Sequence, residues 1–141
     1  MAVGYWCDSA ATHYSFTGDR LRTGDMYACS EDGYYTYLGR TDDMMRVGGE
    51  WVSPAEVEAV LVQHPAVLEA AVVGYRDDDG LQRPAAFVVA TPGSTIDEAE
   101  LEVLCKAELA GFKRPRRYRV VDALPKTVTG KIQRFVLRQG W

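Results

Sequence analysis

The sequence lacks the features of several specialised protein classes. Its 141 residues include only three cysteines, which lie far apart, form no CxxC pair and cannot all pair with one another. This usage favours a reducing compartment, and we predict a cytoplasmic protein. No stretch approaches the roughly 18–20 apolar residues that a membrane span needs, and the N-terminus has neither the basic nor the apolar region of a signal peptide. We therefore expect no membrane partner.

The sequence also has no large excess of charge of one sign and none of the common catalytic patterns. Sixteen lysines and arginines against 20 aspartates and glutamates give a net charge of −4, so no general attraction to nucleic acid is expected. The two histidines have no partner pattern, no Ser/His/Asp order stands out, and no residues have the spacing of metal ligands. We predict neither a nucleic-acid partner nor a metal site.

The first part of the chain, to about residue 38, is rich in Tyr, Gly and Asp. Residues 20–27 are predicted to be extended, and Glu31-Asp32-Gly33 is a turn signal. Residues 34–38 are β-favouring and follow that turn. These segments together predict a β-hairpin.

From residue 39 onward the pattern predicts helices separated by strands. Ser53 and Glu56 predict a capping box at the start of a helix that ends at Pro65. A second helix is predicted to be capped by Ser94 or Thr95. Each helix has an apolar face at helical spacing, so both are expected to pack on a common core.

Three strands and a final helix complete the second part. Residues 67–75 and 83–90 flank an Asp-rich turn, and residues 117–121 form a third strand. Residues 132–138 predict a short terminal helix. The fold class is therefore α+β, with a three-stranded sheet and flanking helices preceded by the hairpin.

Two loops carry residue types suited to a nucleotide. In Arg22-Thr23-Gly24-Asp25, a carboxylate after a glycine turn could accept both hydroxyls of a ribose, although a plain turn is the alternative. In the loop that begins at Gly39, Arg40 offers a planar fork for phosphate or ribose oxygens. Gly48-Gly49 permits unusual backbone angles and the close approach of a ligand. The alternative for this second loop is a solvated charge cluster.

A third loop, at 124–132, contains Gly130-Lys131 before the terminal helix. It is not a Walker A loop, because Pro125 and Ile132 stand where that motif needs Gly and Ser or Thr. The ammonium of Lys131 could neutralise carboxylate and phosphate oxygens together; a solvated lysine is the alternative. A basic segment at 113–119 could bind a polyphosphate or the CoA nucleotide, or could protect a strand edge by its charge.

In this order and spacing, the loops resemble the adenylate-forming superfamily of acyl- and aryl-CoA synthetases, luciferases and peptide-synthetase adenylation domains. The resemblance covers residues 4–138, and segments 51–58, 64–74 and 125–134 are most similar to benzoate–CoA ligases. It implies an ATP-dependent, Mg²⁺-assisted formation of an acyl-adenylate, followed by displacement of AMP by CoA. A small C-terminal domain, or lid, rotates about a hinge between these steps.

The resemblance also implies roles for individual residues. Asp25 and Arg40 would contact the nucleotide, Asp42 would be the hinge, and Lys131 would be the catalytic lysine of adenylation. Arg46 stands where many members carry lysine. The CoA-binding residues of the second step would be Arg46, Gly48, Gly49, Glu50 and Trp51.

The resemblance further implies that the chain is part of a larger enzyme. Residues 1–39 would be the final segment of a large N-terminal AMP-binding domain, and residues 40–141 the mobile C-terminal domain. The expected partners are that large domain, a small carboxylic acid such as benzoate, and CoA. Because the ATP loop and acid pocket are not visible, we expect the chain alone to bind no ATP, Mg²⁺ or CoA and to form no thioester.

Two other functions remain open at this point. The chain could belong to an adenylation domain that serves a carrier protein, although Lys126 and Ile132-Gln133-Arg134 favour a CoA ligase. It could also be a stand-alone, non-enzymatic domain that binds a partner protein.

Overall fold

The computed structural model describes residues 4–140. Residues 1–3 and 141, at the outer ends of the predicted ranges 1–39 and 40–141, lie outside the described residues. The chain divides into two compact units, of which the first ends at Asp42 and the second begins at Asp43.

The first unit combines one short helix with two small antiparallel sheets. Its elements are α1 (Ser9–Ser15), β1 (Phe16–Thr17), β2 (Arg20–Leu21), β3 (Asp25–Cys29) and β4 (Tyr35–Arg40). Strands β3 and β4 form the predicted hairpin, whereas α1 was not predicted. The extended segment expected at 20–27 is interrupted between β2 and β3.

The second unit contains the three-stranded sheet. Its elements are β5 (Met45–Val47), β6 (Glu50–Val52), α2 (Pro54–Leu61), β7 (Val67–Arg76), β8 (Gln82–Ala90), α3 (Glu98–Glu108), β9 (Arg117–Val120) and α4 (Arg134–Arg138). Strands β5 and β6 form a separate hairpin. In the sheet, β7 pairs antiparallel with β8, and β8 pairs parallel with β9. The parallel pair needs a crossover connection, which α3 supplies.

The sheet is covered on both faces. Successive side chains of a strand point to opposite faces, and Val72 of β7 packs in a cluster with Val57 of α2 and Leu101 of α3. Its neighbour Val73 packs on the other face with Leu137 of α4. Burial on both faces explains why residues 70–73 of β7 are all apolar.

The capping box predicted for α2 is wrong. The side chain of Ser53 makes no capping hydrogen bond, and Pro54 occupies the start of the helix. Glu56 instead accepts a hydrogen bond from Lys113 Nζ at 2.6 Å. The helix also ends at Leu61, before Pro65, because the chain turns there with a bond from Gln63 N to Val60 O of 3.1 Å.

The boundaries of the other two predicted helices also differ from the structure. Asp97, rather than Ser94 or Thr95, caps α3, since its carboxylate accepts from Ala99 N at 2.9 Å. Helix α4 begins at Arg134, two residues later than predicted. Its late start follows from the residue before it, because Gln133 N donates to Pro125 O at 2.8 Å and stays in the loop.

Replacing Asp97 by alanine should lower the free energy of unfolding by about 1 kcal/mol, because α3 loses its capping acceptor. Asp97→Asn keeps an acceptor and should lower the free energy of unfolding only slightly. Urea denaturation followed by circular dichroism measures both changes. The control Ser94→Ala should stay within about 0.5 kcal/mol of the parent; a larger loss for Ser94→Ala than for Asp97→Ala would contradict this assignment of the cap.

Candidate functional site

The hairpin of the first unit brings together the two residues predicted to contact a nucleotide. Asp25 and Arg40 are directly paired across β3 and β4. Arg40 Nη1 donates to Thr23 O at 2.7 Å and to Asp25 Oδ1 at 3.2 Å. The hydrogen bond with Asp25 raises the pKa of Arg40. The pair therefore presents one fixed negative and one fixed positive group side by side.

Gly24 makes this arrangement possible. Its φ is +77°, in the left-handed region that favours glycine. A Cβ at this position would lie 2.7 Å from Arg40 Nη2, which is too close for a real contact. The Thr-Gly-Asp segment is thus a turn, and the Arg40 guanidinium packs against it.

A cleft of about 520 Å³ opens beside this pair within the first unit. Its walls include Tyr14, Arg22, Asp25, Arg40 and Asp42. The guanidinium of Arg22 stacks on the Tyr14 ring, 4.8 Å from its centroid. Asp42 Oδ2 lies 3.6 Å from Arg40 Nη2, and 80% of the Asp42 side chain is exposed. Two guanidiniums and two carboxylates in one cleft suit a ligand with both phosphate and hydroxyl groups.

The residues predicted to contact CoA share the β5–β6 hairpin of the second unit. Gly48 and Gly49 form its turn with φ of +60° and +93°, and nothing lies within 4 Å of a Cβ built at either position. Backbone conformation rather than crowding therefore favours glycine here. Arg46 lies over the Trp51 ring at 5.9 Å, and its N–H donates to Gln82 Oε1 at 2.9 Å. Glu50 begins β6 beside them.

Lys131 lies exposed at the end of a closed loop. Thr127 N donates to Lys131 O at 2.8 Å, and Lys131 N donates back to Thr127 Oγ1 at 3.1 Å. Gly130, with φ of +83°, turns the chain between them and donates to Thr127 O at 2.9 Å. The backbone of Lys131 is therefore fixed while its side chain is exposed to solvent.

Sequence reasoning missed the carboxylates that hold this loop. Lys126 Nζ, at the start of the loop, donates to Glu69 Oε1 of β7 at 2.7 Å. Arg134, just after the loop, donates to both carboxylate oxygens of Glu58 at 2.8 and 2.9 Å. These partners are separated by 57 and 76 positions along the chain, so no local motif reveals them.

The basic segment at 113–119 is largely engaged in contacts of its own unit. Lys113 pairs with Glu56, and Arg114 donates to the backbone oxygens of Leu109 and Lys106 at 2.8 and 3.1 Å. Arg117, on the edge strand β9, stacks on the Tyr75 ring at 4.6 Å. These contacts fit the interpretation of the segment as a charged strand edge.

The described residues, 4–140, include no group of three or more His, Cys, Asp or Glu side chains that could hold a metal ion. No helix in this part of the chain is long and apolar enough to cross a membrane.

Comparison with known proteins identifies the class. The family model of the AMP-binding enzyme C-terminal domain matches residues 56–131. The chain belongs to this family, whose matched range begins in α2 and ends at Lys131. The α+β fold expected from the sequence is confirmed by solved structures of its relatives.

The similar proteins include CoA ligases for aromatic acids. The chain is 51% identical over 140 residues to the benzoate–CoA ligase of Thauera aromatica, covering 97% of this chain and 27% of that ligase. It is 46% identical to the 4-hydroxybenzoate–CoA/benzoate–CoA ligase of Rhodopseudomonas palustris, covering 98% of this chain and 26% of the relative. The crystal structure of an anthranilate CoA ligase in complex with anthranoyl-AMP superimposes with a TM-score of 0.92 at 47% identity. The match covers 98% of this chain and 27% of that one. The chain thus spans about a quarter of the length of these relatives.

Substituting Gly24 by alanine should displace the Arg40 guanidinium from Thr23 and Asp25, because the new Cβ would lie 2.7 Å from Arg40 Nη2. The guanidinium N–H protons of Arg40 should then exchange faster with water, which NMR measures. Gly33→Ala is the matched control, since Gly33 also has positive φ, at +83°, but has open space around it. An unchanged Arg40 signal in Gly24→Ala, or an equal change in both variants, would contradict the role given to Gly24.

Proposed function

We propose that this chain is the C-terminal part of an ATP-dependent carboxylic acid–CoA ligase that acts on an aromatic acid such as benzoate. The observation that carries the proposal is the exposed Lys131 on its fixed loop, at the end of the range matched by the family. The 51% identity to a benzoate–CoA ligase supports the aromatic acid. No observation favours a carrier protein as acceptor or a non-enzymatic role.

Lys131 acts in the first step. A carboxylate oxygen of the acid attacks the α-phosphorus of ATP, the bond from that phosphorus to the oxygen bridging to the β-phosphorus breaks, and pyrophosphate leaves. The ammonium of Lys131 keeps its proton and offsets the negative charge of the reacting carboxylate and phosphate oxygens. A charge fixed in place before the reaction needs little reorganisation during it.

The first unit holds the nucleotide during both steps. The Asp25 carboxylate accepts hydrogen bonds from the two ribose hydroxyls, and Arg40 donates to a ribose or phosphate oxygen. Asp42 is the hinge. In support, the boundary between the two compact units falls between Asp42 and Asp43 in the sequence. Residues 1–39 are the end of the large domain, and residues 40–141 contain the hinge and the mobile lid.

The β5–β6 hairpin acts in the second step. The CoA sulfur attacks the carbonyl carbon of the acyl-adenylate, the bond from that carbon to the phosphate oxygen breaks, AMP leaves, and the thiol proton passes to water. Gly48 and Gly49 leave room for the pantetheine arm, because no side chain projects from this turn. Arg46, Glu50 and Trp51 line the passage beside them.

The partners of the chain follow from this division of roles. They are the large AMP-binding domain, the acid and CoA, while Mg²⁺ enters with ATP rather than through residues of this chain. The chain alone is inactive because the large domain supplies the acid pocket. The free thiols of Cys7, Cys29 and Cys105 support a cytoplasmic location.

The test uses an exchanged ligase, in which this chain replaces the 140 matching residues of the Thauera aromatica enzyme. Lys131→Ala should slow adenylation, measured as ATP–pyrophosphate exchange, by about 10²–10³-fold. Thioester formation from supplied benzoyl-adenylate and CoA should change little, because Lys131 acts only in the first step.

Lys106→Ala, which removes an exposed lysine of α3, is the matched control and should leave both steps unchanged. Equal loss of both steps in Lys131→Ala would refute the role of the lysine. Turnover with a carrier protein but not with CoA would favour the carrier-dependent alternative. Release of pyrophosphate by the unmodified chain alone would refute its dependence on the large domain.

A further inference from the structure

The first residue of the second unit, Asp43, is held by two arginines of the last helix. Arg138 Nη2 donates to Asp43 Oδ1 at 2.6 Å, and Arg134 Nη1 lies 3.7 Å from Asp43 Oδ2. Asp43 and Arg138 are 95 positions apart in sequence. These contacts join the residue next to the proposed hinge directly to α4.

The same arginine continues the network into the sheet. Arg134 forms a two-pronged ion pair with Glu58 of α2. Glu58 Oε1 also accepts from Val72 N of the edge strand β7 at 2.8 Å. The side chains of Asp43, Arg134 and Glu58 are only 20%, 21% and 15% exposed, so these charges lie mostly out of water.

Burying such charges is an expensive way to stabilise a domain, because desolvation offsets much of their attraction. Their geometric effect is stronger, since a paired guanidinium fixes both distance and orientation. Two carboxylates and two guanidiniums balance each other in charge. The network therefore fixes the position of α4 relative to the start of the unit.

Only two residues separate Arg134 from Lys131, and both are tied to the loop. Ile132 pairs with Lys126 in an isolated β-bridge, and Gln133 N donates to Pro125 O at 2.8 Å. A continuous chain of fixed contacts thus runs from Asp43 through Arg134 to the backbone of Lys131.

We propose that Asp43 is a positioning residue that, through Arg138 and Arg134, holds the Lys131 loop at a fixed distance and orientation from the hinge. The inference rests on the proposed function. A unit that turns about Asp42 carries Lys131 to the reacting atoms accurately only if the connection between hinge and lysine is stiff. Without the Asp43 carboxylate, α4 and the loop keep their fold but lose this alignment.

The test compares adenylation in variants of the exchanged ligase. Asp43→Asn should lower kcat by at least about tenfold, since a misplacement of about 1 Å can cost about 10²-fold. The KM values for ATP and benzoate should stay within about twofold, because Asp43 touches neither substrate. Asp43→Glu, which keeps the carboxylate, should recover most of the rate. Asp122→Asn, at an exposed aspartate of the same unit, should have no effect.

Combining Asp43→Asn with Lys131→Ala separates positioning from general damage. If Asp43 acts through Lys131, adding Asp43→Asn to Lys131→Ala should change the remaining rate by less than about twofold. An equal loss in the presence and absence of Lys131 would overturn the inference. Arg138→Gln removes the same contact from the other side and should reproduce the effect if Asp43→Asn folds poorly.

The outcomes also distinguish this inference from the proposed function. Slow adenylation by Lys131→Ala together with normal adenylation by Asp43→Asn and Arg138→Gln would overturn only the role of Asp43. Normal adenylation by Lys131→Ala would refute the proposed function, and the inference with it.

Discussion

The second unit depends on the hydrogen bonds and the ion pair that the Glu58 carboxylate forms. It accepts from the backbone of Val72 at the sheet edge and from both prongs of the Arg134 guanidinium. One side chain of α2 therefore satisfies an unpaired strand N–H and fixes the helix that follows the lysine loop. A second carboxylate, that of Asp43, is balanced by the same arginine and by Arg138. Removing the Glu58 carboxylate would leave the Arg134 guanidinium, only 21% exposed, with its longer contact of 3.7 Å to Asp43.

The regular part of the fold was predictable from the sequence because hydrophobic periodicity records burial directly. Strands β7 and β8 contain apolar runs, residues 70–73 and 84–90, on either side of an Asp-Gly turn, and their bounds match the prediction within about a residue. The apolar face of α2 is likewise given by Val57, Val60 and Leu61, all of which are buried. The presence of a three-stranded α+β unit thus follows from local patterns alone.

Helix ends and the support of the site were not predictable in the same way. Ser53, Ser94 and Thr95 are suitable caps by residue type, but a cap forms only where the backbone presents its free N–H groups, and for α3 this occurs at Asp97. The short helix α1 has no apolar periodicity and was missed. Loop motifs indicated Asp25, Arg40 and Lys131, whereas Asp43, Glu58 and Glu69 became visible only through partners distant in sequence.

In the proposed first step, the second unit brings the Lys131 ammonium to a nucleotide held by Asp25. A crystal structure of the exchanged ligase with benzoate and an ATP analogue carrying a methylene bridge between the α- and β-phosphorus tests it most directly, because this analogue stops the reaction before adenylation. We expect Lys131 Nζ about 3 Å from a benzoate or α-phosphate oxygen, with the ribose hydroxyls on the Asp25 carboxylate. A different cation at those oxygens, with Lys131 in solvent, would contradict the account.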